Sequence, residues 1–184
     1  MKAILMSIQP KWCELIFNGQ KTIEVRKTRP LIDMPFKVFV YETKAQFVKS
    51  IRGACTTFGY GRGKVIGSFV CDKVYKIVPD GEYYSDGYDI DDDRLAETCL
   101  TREQLREYGK GVTLYGWHIT EPKLFDKPKE FYELYAPCKK NKQTADEGCK
   151  GCVYAYKGTT TGEIYCDNAL NRPPMSWCYV EKLQ

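Results

Sequence analysis

The sequence predicts a mainly β fold with short helices, arranged as a closed or nearly closed β-barrel of about five to six strands. Apolar and polar residues alternate in short segments, such as residues 22–26 and 36–44, and this is the period of a β-strand. Helical periodicity is confined to short stretches that begin near Pro10 and Thr101. The chain of 184 residues is long enough to bury a hydrophobic core within one domain.

The N-terminal elements follow from local signals. Residues 3–8 predict a buried opening strand, and Pro10 then marks the start of a helix that ends before Gly19. Residues 22–26 and 36–44 predict the next two strands, separated by a loop with two prolines. The glycine-rich GYGRGK lacks the spacing of a P-loop, so we interpret it as a basic loop with Arg62 and Lys64 as candidate phosphate contacts.

The second half of the chain begins with an acidic stretch. Residues 83–97 lack the ligand spacing of a calcium-binding loop, and we interpret them as a solvated loop. Thr101 and Gln104 predict a capping box at the start of a short helix. Residues 111–120 predict a strand with Tyr115 and Trp117 on one face, and residues 173–183 predict the closing strand.

Charge is distributed unevenly along the chain. Residues 1–79 contain 14 Lys and Arg but 5 Asp and Glu, which favours a polyanion as partner. No window approaches the roughly 18 apolar residues of a membrane span. The N-terminus also lacks the apolar run and cleavage site of a signal peptide. We therefore expect a cytoplasmic protein with no membrane partner.

Cysteines concentrate in residues 137–171, a segment too polar and glycine-rich to be held together by apolar burial. A C-x-x-C pair flanked by single cysteines at ten and thirteen intervening residues is typical of a tetrahedral structural Zn²⁺ site, whose ligands are Cys138, Cys149, Cys152 and Cys166. Cys178 is an alternative ligand, and disulfides or free thiols are the rival interpretations. The scattered cysteines at 13, 55, 71 and 99 are expected to pack as buried thiols.

The stretch GQKTIEVRK, residues 19–27, gathers unusual charge on a predicted strand. Alternation directs Ile23 and Val25 to a core, while Thr22, Glu24 and Arg26 share the other face. That face is either a solvated edge with ion pairs or the floor of a recognition cleft. In a cleft, Glu24 could accept a hydrogen bond from the exocyclic amine of cytosine, while Arg26 meets a carbonyl or phosphate. Trp177, Tyr179 or Trp117 would supply a ring on which the base stacks.

The pattern G-x-K-T-x-E-x-R that starts at Gly19 occurs with SIQPKW at 7–12, VYETK at 40–44, LYGWHI at 114–119 and RPPMSWCYV at 172–180. Together these segments resemble an ASCH domain, a member of the PUA-like superfamily of small β-barrels. The resemblance covers residues 1–136 and 172–184 and leaves residues 137–171 as an inserted zinc-knuckle-like segment. It implies a cleft that binds RNA or a modified nucleobase, with candidate residues Lys21, Thr22, Glu24, Arg26, Tyr41, Glu42, Trp117, Trp177 and Tyr179.

The resemblance also implies possible enzymes. Some relatives look like amidohydrolases that deacylate acetylated cytidine, and others look like ribonucleases. Lys21 matches the lysine of the amidohydrolase group, but Glu24 stands three residues on where that group has threonine. The glutamate of that group aligns with Thr98, and Glu97 lies one residue earlier. Lys21 and Glu24 are the candidate catalytic pair, as base or oxyanion partner and as activator of water.

Four functions are therefore open at the level of sequence. Nucleobase or RNA binding is the first, deacylation of cytidine the second, and metal-independent RNA cleavage the third. A protein-interaction module is the fourth. His118 is the only histidine, so a site with several histidine ligands is excluded.

Overall fold

The structure is a computed structural model that describes residues 2–51, 54–80, 87–134, 155–157, 164–166, 170 and 172–181. In chain order the strands are β1 Lys2–Ile8, β2 Ile23–Arg26, β3 Phe36–Glu42, β4 Ala45–Ile51, β5 Ala54–Tyr60, β6 Lys64–Cys71, β7 Val74–Ile77, β8 Pro79–Asp80, β9 Gly87–Tyr88, β10 Leu114–His118, β11 Thr120–Lys129, β12 Ala155–Lys157, β13 Ile164–Cys166 and β14 Trp177–Glu181. The helices are α1 Pro10–Phe17, α2 Asp92–Thr98 and α3 Arg102–Gly109, and a 3-10 turn spans Phe131–Glu133.

The described strands form two sheets of three or more strands, and β4-β5, β8-β9 and β12-β13 form three two-stranded sheets. The larger has the order β11-β6-β3-β1-β14, and the smaller has the order β2-β10-β7. Strand β1 runs parallel to β3 and antiparallel to β14. The fold is thus mainly β with a few helices, as predicted.

The predicted closed barrel is wrong for the described strands, which form open sheets. Strands β11 and β14 lie at the two edges of the larger sheet, and the smaller sheet is separate. Closure depends on strand tilt and on the stagger between strands. Neither quantity can be read from the alternation that identified the strands.

Strand β3 is buried on both faces, which explains why it is so apolar. Phe36, Val38 and Val40 pack in a cluster with residues of α1 and β1. Phe39 and Tyr41 pack in a second cluster on the opposite face. Tyr41 is therefore a core residue with 6% of its surface exposed.

Helix α1 places the charged strand that follows it. Pro10 occupies the first turn, and Cys13 and Ile16 are buried, as the helical pattern predicts. Gly19 then adopts a φ of +80°, a conformation that glycine accepts readily. The Lys21 amide N–H donates to the Leu15 carbonyl at 2.9 Å, and the chain turns from the helix into β2.

The acidic stretch contains a helix where the sequence predicted a loop. Asp91 is the N-cap of α2 and accepts a hydrogen bond from the Arg94 amide at 2.8 Å. Asp92, in the first turn, pairs with Arg102 at 2.6 Å. Carboxylates near a helix N-terminus are stabilised by the orphan N–H groups and the helix dipole, so the aspartates are part of the helix signal.

Replacing Thr101 with alanine is expected to lower the free energy of unfolding by about 1 kcal/mol. The Thr101 side chain accepts from the Gln104 amide at 3.1 Å, and the Gln104 side chain accepts from the Thr101 amide at 3.0 Å. This is the predicted capping box, and it begins α3. Urea denaturation measures the change. Thr101→Ser keeps the hydroxyl, and equal destabilisation by serine and alanine would argue against the cap.

The predicted zinc ligands fall largely outside the described residues. Cys138, Cys149 and Cys152 lie outside them, and Cys166 lies in β13, of which the backbone alone is described. Cys178 lies in β14, where burial raises the pKa of its thiol to about 11. The zinc site and the domain boundaries at 136 and 172 stay predictions.

Two of the scattered cysteines are buried as expected. Cys13 and Cys71 each expose 1% or less of their surface. Cys99 is half-buried, and the side chain of Cys55 is not among those described. None of the described helices is long and apolar enough to cross a membrane.

Candidate functional site

Lys21, Glu24 and Arg26 form a buried cluster of alternating charge, which we call the ion cluster. The Lys21 ammonium lies 3.4 Å from one oxygen of Glu24, and the Arg26 guanidinium lies 3.0 Å from the other. Lys21 and Glu24 expose 2% and 6% of their surface. Two cations around one carboxylate leave the cluster with one net positive charge.

Backbone carbonyls hold the two cations in place. Lys21 donates to the carbonyl of Thr98 at 2.5 Å, at the C-terminus of α2 where the helix dipole favours a cation. Arg26 donates to the carbonyl of Ser7 at 2.7 Å, at the end of β1. The ion cluster is thereby fixed by three separate elements.

The alternation of β2 accounts for the orientation of the cluster. Ile23 and Val25 pack into an apolar cluster with Leu105 and Leu114, as the sequence predicted. Glu24 is flanked by them in sequence yet contacts Lys21 and Arg26. A buried carboxylate of this kind requires charged partners, and the two cations supply them.

A cavity of about 580 Å³ opens beside the ion cluster, and we call it the first cavity. Lys21, Glu24 and Arg26 line it together with α1, α3 and the segment before β14. Helix α3 contributes Gln104, Glu107 and Tyr108, which share one helical face at positions i, i+3 and i+4. This mixture of apolar walls and a few fixed polar groups is typical of a small-molecule site.

Aromatic walls border the first cavity on two sides. Tyr108 on α3 is 40% exposed. Burial raises the pKa of its phenol above the usual value, with Arg26 opposing and Glu24 adding to the rise, so the phenol lies near the ion cluster. Trp12 on α1 is half-buried, with the Lys21 ammonium 5.0 Å from its ring centroid. A flat ring therefore has stacking partners in this cavity.

The segment before β14 forms the rim of the first cavity. The Ser7 hydroxyl donates to the Pro174 carbonyl at 2.5 Å, and the Ser7 amide donates to the Ser176 carbonyl at 2.9 Å. Met175 lies between these anchors, lines the cavity and is fully exposed. An exposed thioether held at a cavity mouth is well placed to pack on a bound aromatic ring.

Trp117 does not line the first cavity, although the sequence proposed it as a stacking residue. It is completely buried, with its ring 5.6 Å from the rings of both Phe36 and Trp177. Trp177 donates its indole N–H to the Thr28 hydroxyl at 3.0 Å. Trp117 therefore belongs to the core, and Trp177 supports the loop that follows β2.

The other predicted residues also lie elsewhere. The Tyr179 hydroxyl accepts from the Leu31 amide at 2.7 Å, while Tyr41 is in the core. Thr22 is half-buried, and its backbone bonds to Glu97 and Ile119. Glu42 lines a different cavity, on the other side of α1. Of the nine predicted cleft residues, the structure brings Lys21, Glu24 and Arg26 together in the first cavity.

Sequence reasoning missed the contributions of α3 and Met175. The polar residues Gln104, Glu107 and Tyr108 at helical spacing could have indicated a helix face turned to a site. Trp12 packs partly against the core, and its place on the apolar face of α1 gives no signal of a site. For Met175 no local signal exists, because its role depends on how the segment before β14 is anchored to Ser7.

This chain belongs to the ASCH domain family, whose domain matches residues 6–141. The crystal structure of ASCH from Zymomonas mobilis is similar, with 19% identity over 70% of this chain and 73% of that chain and a TM-score of 0.45. A tyrosine-to-phenylalanine mutant of that protein gives 18% identity over 71% and 76%, with a TM-score of 0.46. No curated protein matches this chain.

Proposed function

We propose that this protein binds RNA or a modified nucleoside by taking one base into the first cavity. The observation that carries this proposal is the ion cluster, a buried carboxylate between two fixed cations at the wall of a cavity with aromatic sides. Acceptors and donors placed side by side match the edge of a nucleobase.

A cytosine ring suits the polar groups of the first cavity. The Glu24 carboxylate accepts hydrogen bonds and has capacity beyond its two ionic contacts, so it can take the exocyclic amine. The cations Lys21 and Arg26 on either side are donors for the ring carbonyl and ring nitrogen. Tyr108 and Met175 supply faces for the ring.

Exposed lysines lie next to both aromatic walls. The Lys11 ammonium lies 4.0 Å from the Trp12 ring centroid, and the Lys27 ammonium lies 5.2 Å from that of Tyr108. Both side chains reach solvent, where they can meet the phosphates that flank a bound base. Two cations of the basic N-terminal half thus lie where a nucleic-acid backbone would pass.

The geometry supports binding better than deacylation. The Lys21 side chain donates to the Thr98 carbonyl and pairs with Glu24, so both contacts orient it as a fixed hydrogen-bond donor. Thr98 stands at the position of the amidohydrolase glutamate and offers a backbone carbonyl. Glu97 is exposed and does not line the first cavity. Among the described residues, α2 therefore contributes no carboxylate to the first cavity, and the cavity's second carboxylate is Glu107 on α3.

Replacing Tyr108 with leucine is expected to weaken binding of a single-stranded ribo-oligonucleotide about 5- to 150-fold, because one stacking contact contributes roughly 1–3 kcal/mol. Fluorescence anisotropy at fixed ionic strength measures the affinity. Tyr132→Leu is the matched control, since Tyr132 is 55% exposed and lies outside the first cavity. Binding to the parent chain should weaken as salt rises.

Three outcomes would overturn the proposal. Equal affinity of the Tyr108→Leu and parent chains would show that the base does not bind in this cavity. Turnover of acetylcytidine would replace binding by hydrolysis as the activity. Absence of any nucleic-acid or nucleoside binding would leave the protein-interaction module.

A further inference from the structure

We propose that a second cavity, on the opposite side of α1, binds another nucleotide of the same single strand. This inference rests on the proposed function of the first cavity. The second cavity measures about 550 Å³ and lies between α1, the end of β3, β6 and β11. It contains a buried carboxylate, apolar faces and exposed cations, which are the kinds of group found around the first cavity.

Glu42 is the buried carboxylate of the second cavity. It exposes 8% of its surface, and one of its oxygens accepts the Arg62 backbone N–H at 2.6 Å. A carboxylate offers about four lone-pair positions, so this bond leaves capacity for an amine or imino group of a base. Gly61 lets the loop before β6 pack closely against Thr43, because a Cβ at this position would approach the Thr43 carbonyl oxygen to 2.2 Å.

Apolar side chains provide faces for a ring. Phe17 is half-buried and held against Gly67, where an added Cβ would meet the Phe17 ring at 2.6 Å. Leu124 on β11 lines the same cavity and is 51% exposed, so it offers an apolar face there. A base between these side chains would cover the exposed leucine.

Exposed cations connect the two cavities. Lys11 lines the second cavity, and its ammonium lies over the ring of Trp12, which lines the first. Arg62 presents a second exposed cation at the second cavity. Glu14 opposes them there, but it is exposed and its repulsion is screened by salt. A phosphodiester crossing the start of α1 would therefore meet Lys11 and Arg62.

The end of β3 also joins the two cavities. Glu42 lines the second cavity, and the next residue, Thr43, lines the first. A helix with its side chains is about 10–12 Å wide. An RNA of two to four nucleotides is therefore needed to occupy both cavities, and a mononucleotide occupies only one.

Titration of the full chain with cytidine 5′-monophosphate and with cytidine oligomers of two, three and four nucleotides tests this inference. We expect affinity to rise at least tenfold once the oligomer spans α1, because the second contact is then intramolecular. Leu124→Ala and Glu42→Gln should each remove most of that gain and leave mononucleotide affinity unchanged. Leu31→Ala, at a leucine that is 85% exposed and lines neither cavity, should keep the gain.

The outcomes separate this inference from the proposal on which it rests. If the mononucleotide binds and longer oligomers bind no more tightly, the second cavity is not a subsite and the first cavity stands. The same conclusion follows if both variants keep the full gain, or if they weaken mononucleotide and oligomer equally. If the mononucleotide and the oligomers all fail to bind, the proposed function itself is overturned.

Discussion

Replacement of Glu24 by alanine is expected to lower the free energy of unfolding by roughly 3 kcal/mol, the lower end of the range for breaking a buried ion pair. The substitution leaves Lys21 and Arg26 buried together without their shared carboxylate. The two cations then repel each other, and neither can move far, because backbone carbonyls at Thr98 and Ser7 hold them. The first cavity opens to solvent beside Tyr108 and Met175, and solvation of the cations there reduces the cost but does not remove it.

Urea denaturation of matched variants measures this effect. Lys21→Met combined with Glu24→Leu removes a buried charge of each sign, so the double variant should be more stable than Glu24→Ala alone. Glu97→Ala, at an exposed glutamate outside the cavity, should change stability by less than about 0.5 kcal/mol. If Glu24→Ala is no more destabilising than Glu97→Ala, the ion cluster is solvated and the site has been misplaced.

Replacement of Trp117 by alanine should cost about 3–5 kcal/mol of stability, as expected for removal of a large side chain from a core. Trp117 has no exposed surface and packs against Phe36 and Trp177. Among the described residues its indole N–H is buried without a hydrogen-bond partner, so the side chain contributes through packing. Thermal or urea denaturation followed by circular dichroism measures the loss.

Trp117→Phe is the informative companion to the alanine variant. It retains an aromatic ring and removes the unpartnered N–H, so it should be markedly more stable than Trp117→Ala and bind RNA with the parent affinity. Loss of binding in Trp117→Phe at unchanged stability would contradict the buried position. It would instead support the stacking role that the sequence suggested.

Much of the local structure follows from the sequence because the responsible signals are local. Pro10 and Gly19 bound α1, and the alternation around Ile23 and Val25 places β2. The capping box at Thr101 is present as predicted. Each of these features depends on residues within one or two turns of chain, so a neighbouring element cannot easily override them.

The parts that sequence reasoning missed depend on contacts between distant segments. Lys21 meets Thr98, 77 residues away, and Ser7 anchors Pro174 across 167 residues. Whether an aromatic residue such as Trp117 lies in a core or in a cleft is decided by such packing and not by its position in a strand. The same reason explains why open sheets were mistaken for a closed barrel.

The most direct test of the account is a crystal structure of this protein with cytidine 5′-monophosphate. The account predicts the pyrimidine ring in the first cavity, with its exocyclic amine about 2.7–3.2 Å from a Glu24 oxygen and its face against Tyr108. A ring bound at another surface, or one in this cavity that makes no contact with Glu24, Lys21 or Arg26, would contradict it.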